Sequence, residues 1–323
     1  MALLVTIFLL LHFGAGLALP YKAGFKPYFY RGMFEAGIDL EKRLNRETRP
    51  QSVRIVRGAM AGLMLGALGC IAGIAIKFAG HITYGFGLQL LFLACGINFM
   101  MPIKLVRQII KHFGASSNEL PQAIAALQPY TQEPLANEDA HTVIRKTVEF
   151  IAVSFNQFLL APVFWLLVAG PVGLSLYVTF SALQEAFGLP DSRRKYFGQF
   201  VRTIDTALNV IPAALGAVFL AGSSLLLSHA NPWPVVRTIY QQCRECGLFY
   251  QGWLLSAMAG GMNITLGGPM RYNTGYVENH PWVGPQGTSA RLMPDDLLRA
   301  ERLQYIFFIC AAGMISILMI LGK

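Results

Sequence analysis

The chain has 323 residues, of which 54% are hydrophobic and only 13% charged, and its mean hydropathy is +0.47. Soluble domains carry about a quarter charged residues, so an ordinary water-soluble enzyme and a disordered chain are both excluded. The formal charge of +9 does not point to nucleic acid, because the bases sit in short polar stretches beside apolar runs, as in cytoplasmic loops of membrane proteins.

About eight runs approach the roughly 20 apolar residues that a helix needs to cross a bilayer. They are residues 1–19, 58–76, 84–103, 150–169, 171–188, 207–228, 247–266 and 304–321. Backbone groups in lipid must be satisfied within the segment, which makes such runs helices. Barrel strands would alternate apolar and polar residues in shorter pieces. The expected fold is all-α, a single polytopic membrane domain.

The first run holds no acid or base apart from His12. Its Ala-Leu-Pro ending also fits a cleaved signal peptide, but the basic start of such signals is missing, and a retained helix is expected. Residues 23–57 read as an amphipathic cytoplasmic segment, with Phe34, Ile38, Leu40 and Leu44 among Glu35, Asp39, Glu41, Lys42 and Arg43. The basic stretches at 20–57, 104–146 and 189–205 are all cytoplasmic if 58–76 and 84–103 form one hairpin and 150–169 and 171–188 another, turning at Gly170-Pro171. The N-terminus then lies outside. Within the cytoplasmic loop 104–147, Ser116 to Glu119 are placed to cap a helix from Leu120, and Asn137 to Asp139 a second one. The uncharged run 247–266 has small residues that allow close helix approach. It is read as a span, although a re-entrant segment would also fit, and it leaves 267–303 cytoplasmic.

Few residues in these runs carry chemistry. Lys77, Glu149, Glu185 and Asp205 are ionisable groups near or inside apolar runs and are functional suspects for that reason; each would equally suit the membrane interface. No phosphate-binding loop, HExxH or GxSxG in convincing context is present. Cys243 and Cys246 form one CxxC with no second ligand pair, which does not make a metal site.

The most distinctive stretch is LGGPMRYNTGYVENHPWVG, residues 266–284. Leu266-Gly267-Gly268-Pro269, Tyr272, Pro281-Trp282-Val283-Gly284 and then Asp295-Asp296 resemble the C-terminal signature of the CobD/CbiB family of cobalamin biosynthesis. The similarity extends over most of the chain. Lys26-Pro27, Gly32 and Leu40 to Asn45 resemble the family's N-terminal region. Val148-Glu149, Ala152 and Ala161-Pro162 resemble its central helix, and Asp205, Asn209 and Ile211-Pro212-Ala213 its Asp-Asp…Asn…Leu-Pro-Ala-Arg stretch. The resemblance implies a multi-pass protein of the bacterial cytoplasmic (inner) membrane. It implies an adenosylcobinamide-phosphate synthase, joining adenosylcobyric acid to aminopropanol or its phosphate through an amide bond. Asp205, Asn209, Asp295 and Asp296 would be its catalytic groups. Gly267, Gly268, Pro269, Tyr272, Pro281, Trp282 and Gly284 would bind substrate. Mg²⁺ and a nucleotide are the implied cofactors. The implied partners are the lipid bilayer, a corrinoid and other membrane proteins, with no nucleic acid.

Several family positions differ. The family's N-terminal Gly-Asp-Pro is missing near Pro20 to Lys22, and its His-Pro is Lys26-Pro27. Its Ala-Glu-Asn-x-x-Asp-Gly reads Ala152 to Phe158 without the charged residues. The Lys, Asn and Asp of the next helix fall on Val178, Ser181 and Gln184. The second Asp of the pair is Thr206, and the Arg is Ala214. Ser-Pro-Asn is Leu248-Phe249-Tyr250, and a glutamate in the next run is Leu255. Charge stabilisation is what amide and phosphoryl chemistry require. Three readings follow: an active synthase, a catalytically degenerate homologue acting as a membrane regulator in the manner of AmpE-like proteins, or an unrelated transporter.

Overall fold

A computed structural model gives the fold. It describes residues 27–81, 85–96, 100–115, 119–131, 133–189, 191, 193–228, 233–244, 249–271 and 275–321. The expected segment 1–19 and Tyr272 lie outside them. The described helices are α1 Tyr28–Leu44, α2 Gln51–Ala79, α3 Gly85–Gly96, α4 Met100–Ala115, α5 Leu120–Leu127, α6 Ala140–Phe155, α7 Ala161–Leu183, α8 Gln199–Ser228, α9 Trp233–Gln242, α10 Phe249–Met262 and α11 Pro294–Leu321. Four two-residue strands lie between α10 and α11: β1 Leu266–Gly267, β2 Met270–Arg271, β3 Val277–Glu278 and β4 Trp282–Val283.

Three described stretches are long and apolar enough to cross a membrane: Gln51–Ala79, Ala140–Gly188 and Gln199–Ser224. The middle one joins α6 and α7 through a π-helical turn at Asn156–Leu160 and ends in another at Gln184–Gly188. Its helical path breaks at Gly170, where φ is 66° and Pro171 follows. Helix ends and apolar runs do not coincide. α2 starts at Gln51, inside the segment read as amphipathic, and α11 starts at Pro294, well before the run at 304–321. α4 continues the run 84–103 into the stretch read as a loop. Backbone hydrogen bonding carries a helix through charged residues that apolarity alone would exclude. Conversely, the described helix in 247–266 stops at Met262, and Asn263 takes a left-handed φ of 55°. The described part of this helix has 14 residues.

The described residues divide into two compact units, the first drawn from 27–96 and 157–209, the second from 100–156 and 210–321. In the first unit α2 carries a buried small-residue stripe: Gly66, Gly69 and Gly73 face α7, while Gly58 and Gly62 face Phe197 and Val201 at the start of α8. Such spacing puts one row of small residues on one helix face and lets backbones approach. The other face of α2 exposes Met60, Leu63, Ile71 and Phe78. Small residues inside and large apolar ones outside suit a helix surrounded by lipid. The core beneath holds Leu65, Leu183, Phe187, Phe197 and Val201. The apolar residues of α1, Phe34, Ile38, Leu40 and Leu44, pack against it. Glu41, read as part of the polar face, is instead buried, because Asn45 and Arg193 supply its hydrogen bonds.

In the second unit the rings of Phe155 and Phe219 meet Phe307 of α11, with centroids 4.1 and 5.9 Å away. α6 begins where its cap is expected: Asp139 accepts a hydrogen bond from the Thr142 N–H at 2.9 Å. α5 begins at Leu120, but Glu119 precedes it without a side-chain cap.

Candidate functional site

The motif stretch in the second unit is a nested pair of antiparallel ladders. β1 pairs with β4, setting Leu266 opposite Val283 and Gly267 opposite Trp282. β2 pairs with β3 inside it. Gly267 and Gly268 both have positive φ, 78° and 86°, a conformation that other residues reach only under strain. Any Cβ on Gly268 would also lie 2.7 Å from the Trp282 ring, so Gly268 is required twice over. The Gly268 N–H donates to the Pro281 carbonyl. Gln242 of α9 grips Gly284 at both ends of its peptide units: its Oε1 accepts from the Gly284 N–H at 2.7 Å, and its Nε2 donates to the Gly284 carbonyl at 3.1 Å. Pro269, Pro281 and Trp282 are exposed, while Val283 is fully buried.

This loop is fastened to α6 by charged groups. Glu149 Oε1 accepts the Gly267 N–H at 2.8 Å. The Lys146 ammonium lies 3.0 Å from Glu149 Oε2 and 2.6 Å from Glu133 Oε1. The Arg145 guanidinium stands over the Trp282 ring, 4.8 Å from its centroid. Burial raises the Glu133 carboxyl above its ordinary range, against the opposing pull of Lys146. Asp295 and Asp296 open α11. Asp295 is exposed, and Asp296 caps the helix by accepting the Met293 N–H at 2.9 Å. The loop glycines, Pro269, Pro281 and Trp282 therefore come together with Glu149, while Asp296 serves its own helix.

Asp205 and Asn209 belong to the first unit, on α8, and both are buried. Asn209 Nδ2 donates to Asp205 Oδ1 at 3.1 Å. The Tyr177 hydroxyl is 3.1 Å from Asn209 Oδ1 and 3.3 Å from the Gln157 carbonyl oxygen, and can donate to either. Gln157 Nε2 donates to Ser181 Oγ at 3.2 Å. Tyr30 of α1 donates to Glu185 Oε2 at 2.6 Å, close to the Ser181 carbonyl. Burial first, and the Glu185 carboxylate second, hold the Tyr30 phenol well above its ordinary pKa. Three stretches of the sequence thus meet in one polar cluster: half-buried Gln157, the Tyr177–Glu185 segment, and buried Asp205 with Asn209. The sequence flagged Asp205, Asn209, Glu149 and Glu185. It missed Tyr30, Tyr177 and Glu133, since an aromatic or a loop acid carries no sign of its neighbours. Lys146 and Glu149 were findable as an i, i+3 pair of opposite charge.

A resident metal does not fit the donor groups among the described residues. No group of three His, Cys, Asp or Glu side chains there is placed to hold an ion. Glu133 and Glu149 are already bridged by an ammonium, and Asp205 is engaged by an amide. Mg²⁺ demands several hard oxygen ligands around one point.

Residues 15–304 match the model of the family described as CobD/Cbib protein. The cobalamin biosynthesis protein CobD of Rhodobacter capsulatus is 29% identical over 207 residues, which is 62% of this chain and 63% of that protein. Proteins of the same name from Sinorhizobium sp and Chromobacterium violaceum are 26% identical over 276 residues and 32% over 170 residues. They cover 82% and 51% of this chain, and 80% and 50% of their own length. The match thus spans less than two thirds of the Rhodobacter relative. No solved structure matches. A family match that enters before α1, takes in the motif loop and the buried cluster, and ends inside α11 makes this chain a member of the CobD/Cbib protein family.

Proposed function

We propose that the chain acts in cobalamin biosynthesis and forms the amide bond between adenosylcobyric acid and aminopropanol or its phosphate. The observation that carries this reading is the polar cluster in which the half-buried Glu185 joins buried Asp205, Asn209, Tyr30 and Tyr177. An amine must shed a proton before it can attack a carboxyl group, and carboxylates in a low-dielectric site hold an ammonium and accept that proton effectively. Asn209 and Tyr177 would fix the orientation of Asp205, and Tyr30 that of Glu185. A nucleotide, when bound, would supply the activated oxygen leaving group that the amine nitrogen displaces from the carboxyl carbon.

The test is genetic. The gene restores corrinoid-dependent growth to a strain lacking the family synthase, and Asp205→Ala does not. Failure of the parent gene, with the protein confirmed in the membrane, would sink the catalytic reading. It would favour the regulatory one, which the neutral side chains at Val178, Ser181 and Gln184 support.

We also propose that the protein is multi-pass in the cytoplasmic membrane, with the motif loop on the cytoplasmic side. A cysteine replacing Val277, which is 45% exposed, labels from the cytoplasmic face of inverted vesicles. Labelling in intact cells by a membrane-impermeant maleimide would reverse that orientation.

A further inference from the structure

We propose that Lys146 is the built-in cation of the motif loop, standing where a divalent ion would otherwise bridge Glu133 and Glu149. Lys146 is a positioning residue that acts on the loop through Glu149. Two carboxylates directed at one point repel each other in a buried site, and each requires a compensating charge. Protein sites commonly meet that need with Mg²⁺ or Ca²⁺, which binds oxygen ligands from both acids. Here the Lys146 ammonium makes contacts of 2.6 and 3.0 Å, and its side chain is only 6% exposed.

Glu133 comes from the segment before α6, while Arg145, Lys146 and Glu149 lie on α6, with Arg145 Nε 3.9 Å from Glu149 Oε1. Among the described residues these two acids and two bases leave no net charge. An ammonium is a compact point charge with three donors, which suits it to bridge two carboxylates. Once Lys146 holds one Glu149 oxygen, the other is left directed at the Gly267 N–H. That single backbone bond sets the start of the Gly267–Pro269 turn. Arg145 adds a second fastening through the face of Trp282. The loop is consequently held in register without an external ion.

The experiment uses the full chain in detergent, carrying a cysteine at Val283. That position is fully buried in β4 and becomes reactive only when the loop opens. Maleimide labelling at residue 283 is followed by mass spectrometry, in EDTA and across a Mg²⁺ titration. With Lys146 present, labelling is slow and indifferent to both. In Lys146→Ala, labelling is at least about tenfold faster in EDTA, as a broken buried charge pair predicts, and Mg²⁺ slows it again by joining the two freed carboxylates. Adding Glu133→Gln to that variant removes the Mg²⁺ response.

Faster labelling of the parent in EDTA would overturn the proposal, as would unchanged labelling in Lys146→Ala. Acceleration that Mg²⁺ fails to reverse would also overturn it, since Lys146 would then be an ordinary salt-bridge partner. If Lys146→Ala does not fold, Lys146→Gln with Glu133→Gln decides: it labels faster than the parent and ignores Mg²⁺, and slow labelling refutes the role. The readout is the loop and not turnover, so the result stands apart from the growth test of amide-bond formation.

Discussion

Gly58→Ala is expected to destabilise the protein severely, by about 3 kcal/mol or more on the scale of overpacked buried sites. Gly58 begins the small-residue stripe of α2 and lies against the turn that leads into α8. A Cβ placed there falls far inside 3.0 Å of the Phe197 carbonyl oxygen, and the nearest atoms are all backbone. No rotamer change can relieve that clash, so α2 or the 193–198 turn must move. Moving either disturbs the Phe187–Phe197 ring contact, whose centroids are 5.1 Å apart. Gly32 is the control. It sits in α1 with nothing within 4 Å of an added Cβ, and an exposed helical Gly→Ala gains up to about 1 kcal/mol. Thermal unfolding in detergent, read by loss of the monodisperse chromatographic peak, compares the two. Equal midpoints for Gly58→Ala and Gly32→Ala would show that α2 does not pack as described.

Arg54→Met is expected to cost about 3 kcal/mol, because it breaks a buried charged network. Arg54 is 7% exposed. Its Nε donates to Asn45 Oδ1 at 2.9 Å, a terminal nitrogen donates to the Arg193 carbonyl, and the guanidinium faces the Tyr196 ring. Asn45 in turn donates to Glu41, which is also buried and takes Arg193 at 3.2 Å. Methionine fills similar volume but supplies no donor, leaving Asn45 and the Arg193 carbonyl short of one. The exposed pair Arg31–Glu35, at 2.7 Å and 65% and 59% exposed, has equally good geometry. Its loss through Arg31→Met should leave the unfolding midpoint almost unchanged, since water replaces the contact. The same detergent assay reads both variants. A larger loss for Arg31→Met than for Arg54→Met would refute the assigned burial.

The site was legible only in part. Gly267, Gly268 and Trp282 could be singled out because turn chemistry is local: a positive φ leaves its mark on the residue that adopts it. Glu149 and Glu185 stood out as acids inside apolar surroundings, and the interface was an equally good reading for each. Their partners are what decide the matter. Glu133 is 16 residues from Glu149, and Tyr30 is 155 from Glu185. No periodicity links positions so far apart.

Composition and apolar runs by themselves determined that this is a helical protein with helices fit for lipid, because the hydrophobic content of a segment is a sum over its own residues. The residue pattern at 266–284 likewise marked the family. Tertiary structure alone decided where helices start and stop, since backbone bonding runs past the apolar boundaries at Gln51 and Pro294 and halts early at Met262. It alone joined α6 to the motif loop, placing an ammonium between two carboxylates that the sequence holds apart. Burial of a charge depends on what the rest of the chain brings to it, and only the folded chain supplies that.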